Sequence, residues 1–223
     1  MKLYQYRPIN EYTQKILTHN ELFFNSPDNF NDPYDTYFDI EGINITSKKK
    51  DNMLNAVREK TRICCFSRRC DNILMWSHYA DKHKGLCIEF DTLYDSNDIT
   101  WKKLKLKVNY KNNELSKLNL GVDSHEGDKH LREVFAKKSV HWKYEKETRL
   151  IKIQGENEKF LKYVYTCSSK AITGVIFGAK MAYKDKVEYF NLNLIKDKKV
   201  HSKFKFYEAT ISKTKYEVER NEL

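Results

Sequence analysis

The residues best suited to chemistry lie in the stretch HWKYEKETRL, where Glu145 and Glu147 are separated by one residue. In an extended strand, side chains two positions apart point the same way and lie about 7 Å apart. Like charges at that distance repel, so the pair is not there for stability. Paired carboxylates bind sugar hydroxyls and stabilise a cationic sugar, as in glycoside hydrolysis. The simpler interpretation is that both face water and pair with neighbouring basic side chains.

A second dense stretch, LMWSHYADKHKGLCIEFD, begins at residue 74 and contains Trp76, His78, Tyr79 and His83. A plain core needs aliphatic side chains rather than histidine, and a plain loop needs no tryptophan. The composition therefore favours the wall of a pocket for a nucleotide-like ligand. The simpler interpretation gives both histidines structural hydrogen bonds.

Other kinds of centre could use the same histidines. His78, His83 and Cys87, with Cys70, could ligate zinc, but zinc sites use paired ligands at short fixed spacings, and none occurs here. The sequence therefore predicts no metal site. Ser67 and His78 lack the nucleophile elbow of a serine hydrolase. His78 and His83 could act as acid and base in a metal-independent nuclease.

The stretch SPDNFNDPYD is dense in Asn, Asp and Pro. Asx side chains bond to their own backbone, which is typical of a tight turn. Pro33 has a fixed φ and confines Asp32 to extended backbone. The functional interpretation is a stiff loop whose Asn31 and Asp32 border a ligand.

The elements that must position these residues are short and mixed. The apolar patterns predict strands at KLYQYR, ELFFNS, RICCFS, GLCIEFD, WKKLKLKVNY, ETRLIKI, YVYT, ITGVIFG and KFKFYEATIS. They predict helices after a cap at Asn10, at KKKDNMLNAVREK, at DNILMWSHYA, over 126–139 and over 182–195. Regular βαβ alternation is absent, and seven Gly and three Pro leave no obvious linker. The sequence therefore predicts an α+β fold in one domain, residues 1–223, with a mixed sheet and flanking helices.

The composition indicates the class of protein and the cellular compartment to expect. The chain is 40% hydrophobic and 32% charged, as in a well-solvated globular protein. No apolar run approaches the roughly 20 residues of a membrane span, and no signal peptide is visible. The five cysteines form no disulfide framework, which indicates a reduced, cytoplasmic protein without a membrane partner.

The formal charge of +10 favours an anionic partner. Lys103, Lys105 and Lys107 should project from one face of a strand, and KDKKVHSKFK adds charge near residue 200. We expect weak, salt-sensitive binding of nucleic acid through this basic surface. The simpler interpretation is a solvated basic surface that binds nothing in particular.

Six motifs occur in a characteristic order from Leu3 to about Gly178: LYQYR, FNSPDNFNDPYD, CFS, LMWSHYADKHKGLCIEFD, HWKYEKETRLI and ITGVIFG. This ordered set resembles the bacterial family known as domain of unknown function 2971. Some members of that family occur beside phage-defence genes. The resemblance therefore implies a bacterial protein with a role in antiviral defence.

A looser resemblance is to ADP-ribosyltransferases, which carry three separated motifs on a split β-sheet around NAD. The corresponding positions here are Gln5, Tyr6 and Arg7 in LYQYR, Ser67 in CFS, and Glu145 and Glu147 in HWKYEKETRL. Gln5 stands where several transferase families have His, so the analogy requires Arg7 to take that role. The resemblance implies a split sheet with Glu147 in its cleft.

This second resemblance implies an NAD-dependent ADP-ribosyltransferase or NAD glycohydrolase, acting in phage defence or as a toxin effector. Glu147 would bond the ribose and stabilise its positive charge, and Glu145 would orient the acceptor. The expected catalytic residues are Glu147, Glu145 and His78. The residues expected to bind NAD are Gln5, Tyr6, Arg7, Asn31, Asp32, Ser67, Trp76, Tyr79 and His83.

Two other functions stay open. One is a sensor module that binds a nucleotide or nucleic acid in the same pocket without catalysis, and the other is the nuclease that uses His78 and His83. All of these functions require one binding site. We therefore expect a single cleft lined by Tyr6, Arg7, Asn31, Asp32, Trp76, His78, Tyr79 and Glu147.

Overall fold

The computed structural model describes residues 1–95, 104–111, 115–119, 124–154, 163–192 and 204–223. The helices are α1 (Glu11–His19), α2 (Ser47–Glu59), α3 (Ile73–Tyr79), α4 (Ser124–Phe135) and α5 (Tyr183–Asn191). The strands are β1 (Lys2–Arg7), β2 (Glu21–Phe24), β3 (Phe38–Glu41), β4 (Thr61–Ser67), β5 (Leu86–Asp91), β6 (Lys105–Lys107), β7 (Asn109–Lys111), β8 (Ser116–Asn119), β9 (Lys137–Ser139), β10 (Glu147–Ile153), β11 (Tyr163–Thr166), β12 (Ile172–Phe177), β13 (Lys205–Ile211) and β14 (Val218–Glu222). None of the helices in these ranges combines the length and apolarity needed to cross a bilayer.

An eight-stranded mixed sheet carries the fold, in the order β14-β13-β12-β5-β1-β4-β10-β6. Only β12 and β13 run parallel among its neighbouring strands, and the other pairs are antiparallel. Three two-stranded ribbons, β11-β2, β3-β8 and β7-β9, flank it. Runs of consecutive strands are interrupted by short helices, without a βαβ repeat, which confirms the predicted α+β class.

The large sheet forks between β1 and β4. These strands pair at one position only, Tyr4 with Ser67, whereas β1 pairs with β5 along its whole length. Further along β4, Ile63 exchanges two backbone hydrogen bonds of 2.9 Å with Asn25, which follows β2. The segment after β2 therefore bounds one end of the fork, and a gap remains between the two strands.

Side-chain alternation along β1 divides the core. Leu3 belongs to a cluster with Ile16 and Leu17 of α1, whereas Tyr4 and Tyr6 pack on the opposite face, in a cluster with α3. A third cluster joins β3, α2 and the end of α4. Since successive strand residues face opposite sides, the predicted alternation of KLYQYR is confirmed.

Two predicted elements are wrong in their extent. The strand expected over 101–110 is two short strands, because β6 pairs with β10 while β7 pairs with β9; residues 101–103 lie outside the described ranges. The helix expected over 126–139 ends at Phe135, because Lys137–Ser139 is drawn into a ladder with β7 as strand β9. Strand β14, in the predicted tail, was missed. The predicted cap is confirmed, since Asn10 accepts from the Thr13 N–H at 2.9 Å.

Candidate functional site

The fork of the sheet contains a cavity of about 260 Å³. Strands β1 and β4 form two of its walls, and the segment after β2, α3 and the turn before β10 complete it. Its apolar lining is mostly aromatic, from Tyr4, Tyr6, Phe23, Phe30 and Phe66. Ligand pockets usually measure about 300–1,000 Å³. The cavity is therefore of a size for one nucleoside-like moiety rather than a whole dinucleotide.

Glu145 and Glu147 line this cavity, but they do not share a strand as expected. Glu145 ends a 3-10 turn (Val140–Glu145), Glu147 begins β10, and Lys146 between them has a left-handed φ of 48°. The Ser67 hydroxyl donates to the Glu145 carbonyl at 2.7 Å, and Arg68 Nε donates to the Lys146 carbonyl at 2.9 Å. The end of β4 thus fixes the turn that presents both carboxylates.

Both carboxylates are buried, at 3% and 4% residue exposure, so the expectation that they face water is wrong. Their neighbour Arg149 is also fully buried. Its Nε and Nη2 donate to the two oxygens of Glu147 at 2.8 and 2.9 Å, and its Nη1 and Nη2 donate to Asp35 at 2.8 and 2.6 Å. Nη1 also donates to the Phe135 carbonyl at 2.8 Å. All five guanidinium N–H groups are used.

Lys138 completes the buried cluster. Its Nζ lies 2.7 Å from Glu145 Oε2, 3.1 Å from Asp35 Oδ2 and 3.5 Å from Glu147 Oε2. Three carboxylates therefore face two cations, and the cluster carries an excess negative charge when every member is ionised. Because burial makes excess charge costly, one carboxylate of the cluster should resist ionisation.

The pKa values of the two glutamates are shifted in opposite directions. Burial opposes ionisation of Glu147, but the charges of Arg149 and Lys138 outweigh it and lower its pKa to about 2. Burial raises the pKa of Glu145, repulsion from Glu147 adds to this, and Lys138 offsets only part of it. Neighbouring groups with divergent pKa values are the arrangement that acid–base chemistry requires.

Glu145 keeps free hydrogen-bonding capacity. The Tyr79 hydroxyl donates to its Oε1 at 2.6 Å, and Lys138 donates to its Oε2 at 2.7 Å. An ionised carboxylate offers about four acceptor sites, so a site remains open on each oxygen. Burial and the Glu145 charge raise the pKa of Tyr79, which keeps its hydroxyl protonated as a donor.

Polar groups on β1 form the opposite wall of the cavity. Gln5 Nε2 donates to the Cys65 carbonyl and to Cys64 Sγ, both at 3.1 Å, and so bridges the fork. Arg7 also lines the cavity, its Nε is buried without a partner, and it makes no ion pair within the described residues. Burial lowers the pKa of its guanidinium. An unpaired, partly desolvated cation of this kind favours an anionic ligand.

The structure brings together eight of the predicted site residues: Gln5, Tyr6, Arg7, Asn31, Ser67, Tyr79, Glu145 and Glu147 all line the cavity. The expectation that Asp32, Trp76 and His78 join them is wrong. Asp32 faces a neighbouring groove. Trp76 is fully buried, with its ring 5.2 Å from that of Tyr6 and its Nε1 donating to the Cys70 carbonyl at 2.8 Å.

The two histidines of the second stretch also lie outside the cavity. His78 is exposed on α3, with its ring 6.4 Å from that of Tyr144. The His83 ring stacks on Trp76 at 6.3 Å. Within the described ranges, no group of three or more His, Cys, Asp or Glu side chains could hold a metal ion.

Sequence reasoning missed Asp35, Lys138 and Arg149. The position of Arg149 could have been inferred from the sequence, because Arg149 lies two residues after Glu147 in a predicted strand and must share its face. Asp35 lies 114 positions away from Arg149 and ends a loop whose composition predicts only turns. Lys138 lay in a segment predicted to be helical, so its direction could not be inferred.

Residues 75–150 match the sequence model of a family described as Protein of unknown function (DUF2971). The resemblance to that family is confirmed over this range, which contains most of α3, the Glu145 turn and Arg149. No curated protein and no solved structure matches the chain.

Proposed function

We propose that the chain cleaves the bond between nicotinamide and ribose in NAD, as an ADP-ribosyltransferase or an NAD glycohydrolase. The observation that carries the proposal is the pair of carboxylates with opposite pKa shifts in a cavity that also presents an unpaired cation. A reaction through a cationic sugar needs a negative charge near the ribose, and a nucleotide needs a cation near its phosphates.

The reaction makes specific demands on the site. The bond from ribose C1′ to the nicotinamide nitrogen breaks, and nicotinamide leaves with the bonding electron pair. The ribose then carries positive charge until water, or the hydroxyl or amine of an acceptor, adds to C1′ and loses a proton. A carboxylate can stabilise the positive charge and can also accept that proton.

Glu145 meets these demands better than Glu147. Both oxygens of Glu147 are bound by Arg149, so its charge is already neutralised and its basicity is low. Glu145 has open acceptor sites and a raised pKa. We therefore assign charge stabilisation and proton transfer to Glu145, and we assign to Glu147 the positioning of Arg149 and Lys138. This assignment moves charge stabilisation from Glu147, where the resemblance to transferases places it, to Glu145.

The rest of the cavity suits part of a nucleotide. Arg7 would bind a phosphate group, and the aromatic side chains around it offer flat surfaces for a ring. The Tyr6 hydroxyl is already committed, since it donates to the Arg69 carbonyl at 2.9 Å. Tyr6 would therefore contribute its ring and not its hydroxyl.

The proposed setting is the bacterial cytoplasm, in phage defence. All five cysteines are free thiols, which supports a reducing compartment. Burial raises the pKa of the Cys65 thiol beside the cavity, and the Glu147 charge adds to this. Cys65 is therefore held as a thiol, and a thiolate nucleophile is not part of the proposal.

The test uses chromatography to measure the release of nicotinamide from NAD in a sealed reaction. The reaction is run with and without added nucleic acid and protein acceptors. We expect turnover by the wild type and a loss of about 100- to 1,000-fold in Glu145→Gln, the usual effect of removing one preorganised electrostatic group. A wild type that leaves NAD intact under every condition overturns the proposal. If that protein still binds NAD, a sensor module without catalysis takes its place.

A further inference from the structure

A second cavity of about 460 Å³ lies beside the first, against the ribbon formed by β7 and β9, and shares Lys138 with it. One face of this ribbon contacts the two glutamates of the fork cavity. Tyr110 and Lys138 are register partners, the Glu147 N–H donates to the Tyr110 hydroxyl at 2.7 Å, and Lys138 holds Glu145. The alternate positions, Lys111, Lys137 and Ser139, line the second cavity together with Lys138. We call this second cavity the aromatic groove.

The aromatic groove carries two lysines, Lys111 and Lys137, and one carboxylate, Asp32, besides the buried Lys138. In the β7–β9 register, Asn109 lies opposite Lys137 and Lys111 lies opposite Ser139, so the two lysines are diagonal neighbours. Neither makes an ion pair within the described ranges. The groove's carboxylate, Asp32, accepts from the Tyr34 backbone N–H at 2.9 Å. An anionic ligand would relieve the repulsion between the two lysines.

The groove also exposes flat rings. Tyr34 and Tyr37 are 69% and 39% exposed, and their ring centroids lie 6.5 Å apart. Trp142 lines the same groove, with Lys138 Nζ 4.9 Å from its ring centroid on the buried side. Large rings kept at the surface beside lysines form the combination on which unpaired bases stack while their backbone is neutralised.

We propose that the aromatic groove binds a single strand of nucleic acid. Lys111 and Lys137 neutralise phosphates, and Tyr34 and Trp142 stack on bases. An acidic peptide would use the lysines but would leave the exposed rings without a matching partner. The site differs from the basic surface expected from the sequence. Of that surface, Lys103 and residues 196–203 lie outside the described ranges. It stands independently of NAD cleavage.

The test is the fluorescence anisotropy of a labelled oligothymidylate, titrated with the protein at about 50 and about 200 mM salt. Tyr34→Ala should weaken binding by about 5- to 150-fold, the usual effect of losing one base–aromatic stack. The double variant Lys111→Ala/Lys137→Ala should reduce the salt slope, d log K/d log [salt], by about 1.4, because each phosphate contact on a single strand contributes about 0.7.

Matched controls separate the groove from general surface effects. Tyr216 is 98% exposed elsewhere, and Lys184 and Lys213 are exposed lysines outside the groove. Tyr216→Ala and Lys184→Ala/Lys213→Ala should bind as the wild type does. Thermal melting of every variant checks its fold.

Three results would overturn this proposal. The first is that the wild type does not bind the oligonucleotide at the lower salt concentration, and the second is that the groove variants bind it as tightly as their controls. The third is that polyglutamate at equal charge concentration displaces the oligonucleotide, which would identify an acidic-peptide site. Glu145→Gln should bind the oligonucleotide as the wild type does, because Glu145 does not line the aromatic groove. Failure of the nucleic-acid proposal can therefore be distinguished from failure of the NAD-cleavage proposal.

Discussion

Two buried carboxylate clusters in this protein are built differently. Glu89, on β5, is 3% exposed and binds Lys2 Nζ at 2.6 Å, Arg220 Nη1 at 2.7 Å and the Thr173 hydroxyl at 2.8 Å. One carboxylate therefore faces two cations, and the side chains of Lys2 and Arg220 remain 43% and 35% exposed. Burial opposes ionisation of Glu89, but these hydrogen bonds outweigh it and lower its pKa.

The cluster beside the fork cavity reverses this balance. Three carboxylates face two cations, and no side chain in it is more than 6% exposed. The excess charge falls on Glu145, whose pKa is raised mainly by burial. The Glu89 cluster joins β1 to β14, and its excess charge is positive and carried by partly exposed side chains, so no carboxylate is left unmatched. Under the proposed function, the unmatched carboxylate is kept for the ligand of the cavity.

The largest effect should come from removing the central cation of the fork cluster. Arg149→Leu leaves Asp35 and Glu147 buried without their main partner, and breaking a buried pair in this way costs about 3–5 kcal/mol. Arg220→Leu makes the same change in the Glu89 cluster, where Lys2 and Thr173 remain. Urea denaturation of both variants should therefore show a much larger loss for Arg149→Leu, and equal losses would contradict the contrast between the clusters.

Arg7, which has no ion-pair partner within the described residues, should affect ligand binding rather than stability, in contrast to Arg149. Arg7→Met should weaken NAD binding by about 10- to 150-fold, since a charge-assisted hydrogen bond contributes about 1.5–3 kcal/mol. It should leave the free energy of unfolding unchanged or raise it, because the guanidinium is partly buried without compensation.

Isothermal titration calorimetry with NAD and urea denaturation measure the two effects of Arg7→Met. Arg62→Met is the matched control, because Arg62 Nη1 donates to the Glu59 and Thr61 carbonyls at 2.8 and 2.7 Å and lies outside the fork cavity. An Arg7→Met variant that binds NAD as tightly as this control would remove Arg7 from the site.

A smaller effect is the dependence of stability on pH. The folded-state pKa of Glu145 is raised above its ordinary 4.5, so its stabilising contribution is present below pH 4.5 and is lost as pH rises through the folded pKa. The pKa of Glu89 is lowered from 4.5, so its contribution is present above pH 4.5 and is lost as pH falls through the folded pKa.

The glutamine variants should therefore diverge from the wild type with opposite slopes. From acidic to neutral pH, the stability of Glu145→Gln relative to the wild type should rise, and that of Glu89→Gln should fall. Thermal denaturation across this pH range measures both slopes. Parallel slopes would mean that the two clusters do not differ in their charge balance.

Local patterns in the sequence were sufficient for much of the fold. The alternation in KLYQYR predicts β1, and it also sends Gln5 and Arg7 to one face of that strand. The spacing of Glu145 and Glu147 predicts two carboxylates at one place. Their actual convergence depends on the left-handed Lys146 between them, which no propensity for lysine predicts.

The remaining features depend on contacts between distant segments. The fork exists because Asn25 pairs with Ile63 while Tyr4 pairs with Ser67, and neither pairing has a local signal. Trp76 illustrates the opposite error, since residue type suggested a pocket wall and packing placed its ring in the core against Tyr6. Residue type predicts which side chains can do chemistry, but their direction depends on tertiary structure.

The central claim is that the fork cluster serves a ligand whereas the Glu89 cluster serves stability. Its most direct test is one paired measurement, NAD turnover and the free energy of unfolding at neutral pH, for the wild type, Glu145→Gln and Glu89→Gln. We predict that Glu145→Gln loses turnover by about 100- to 1,000-fold with stability equal to or above that of the wild type, while Glu89→Gln loses stability and keeps turnover. A Glu145→Gln variant that consumes NAD at the wild-type rate would contradict the claim, as would equal losses of stability in the two variants.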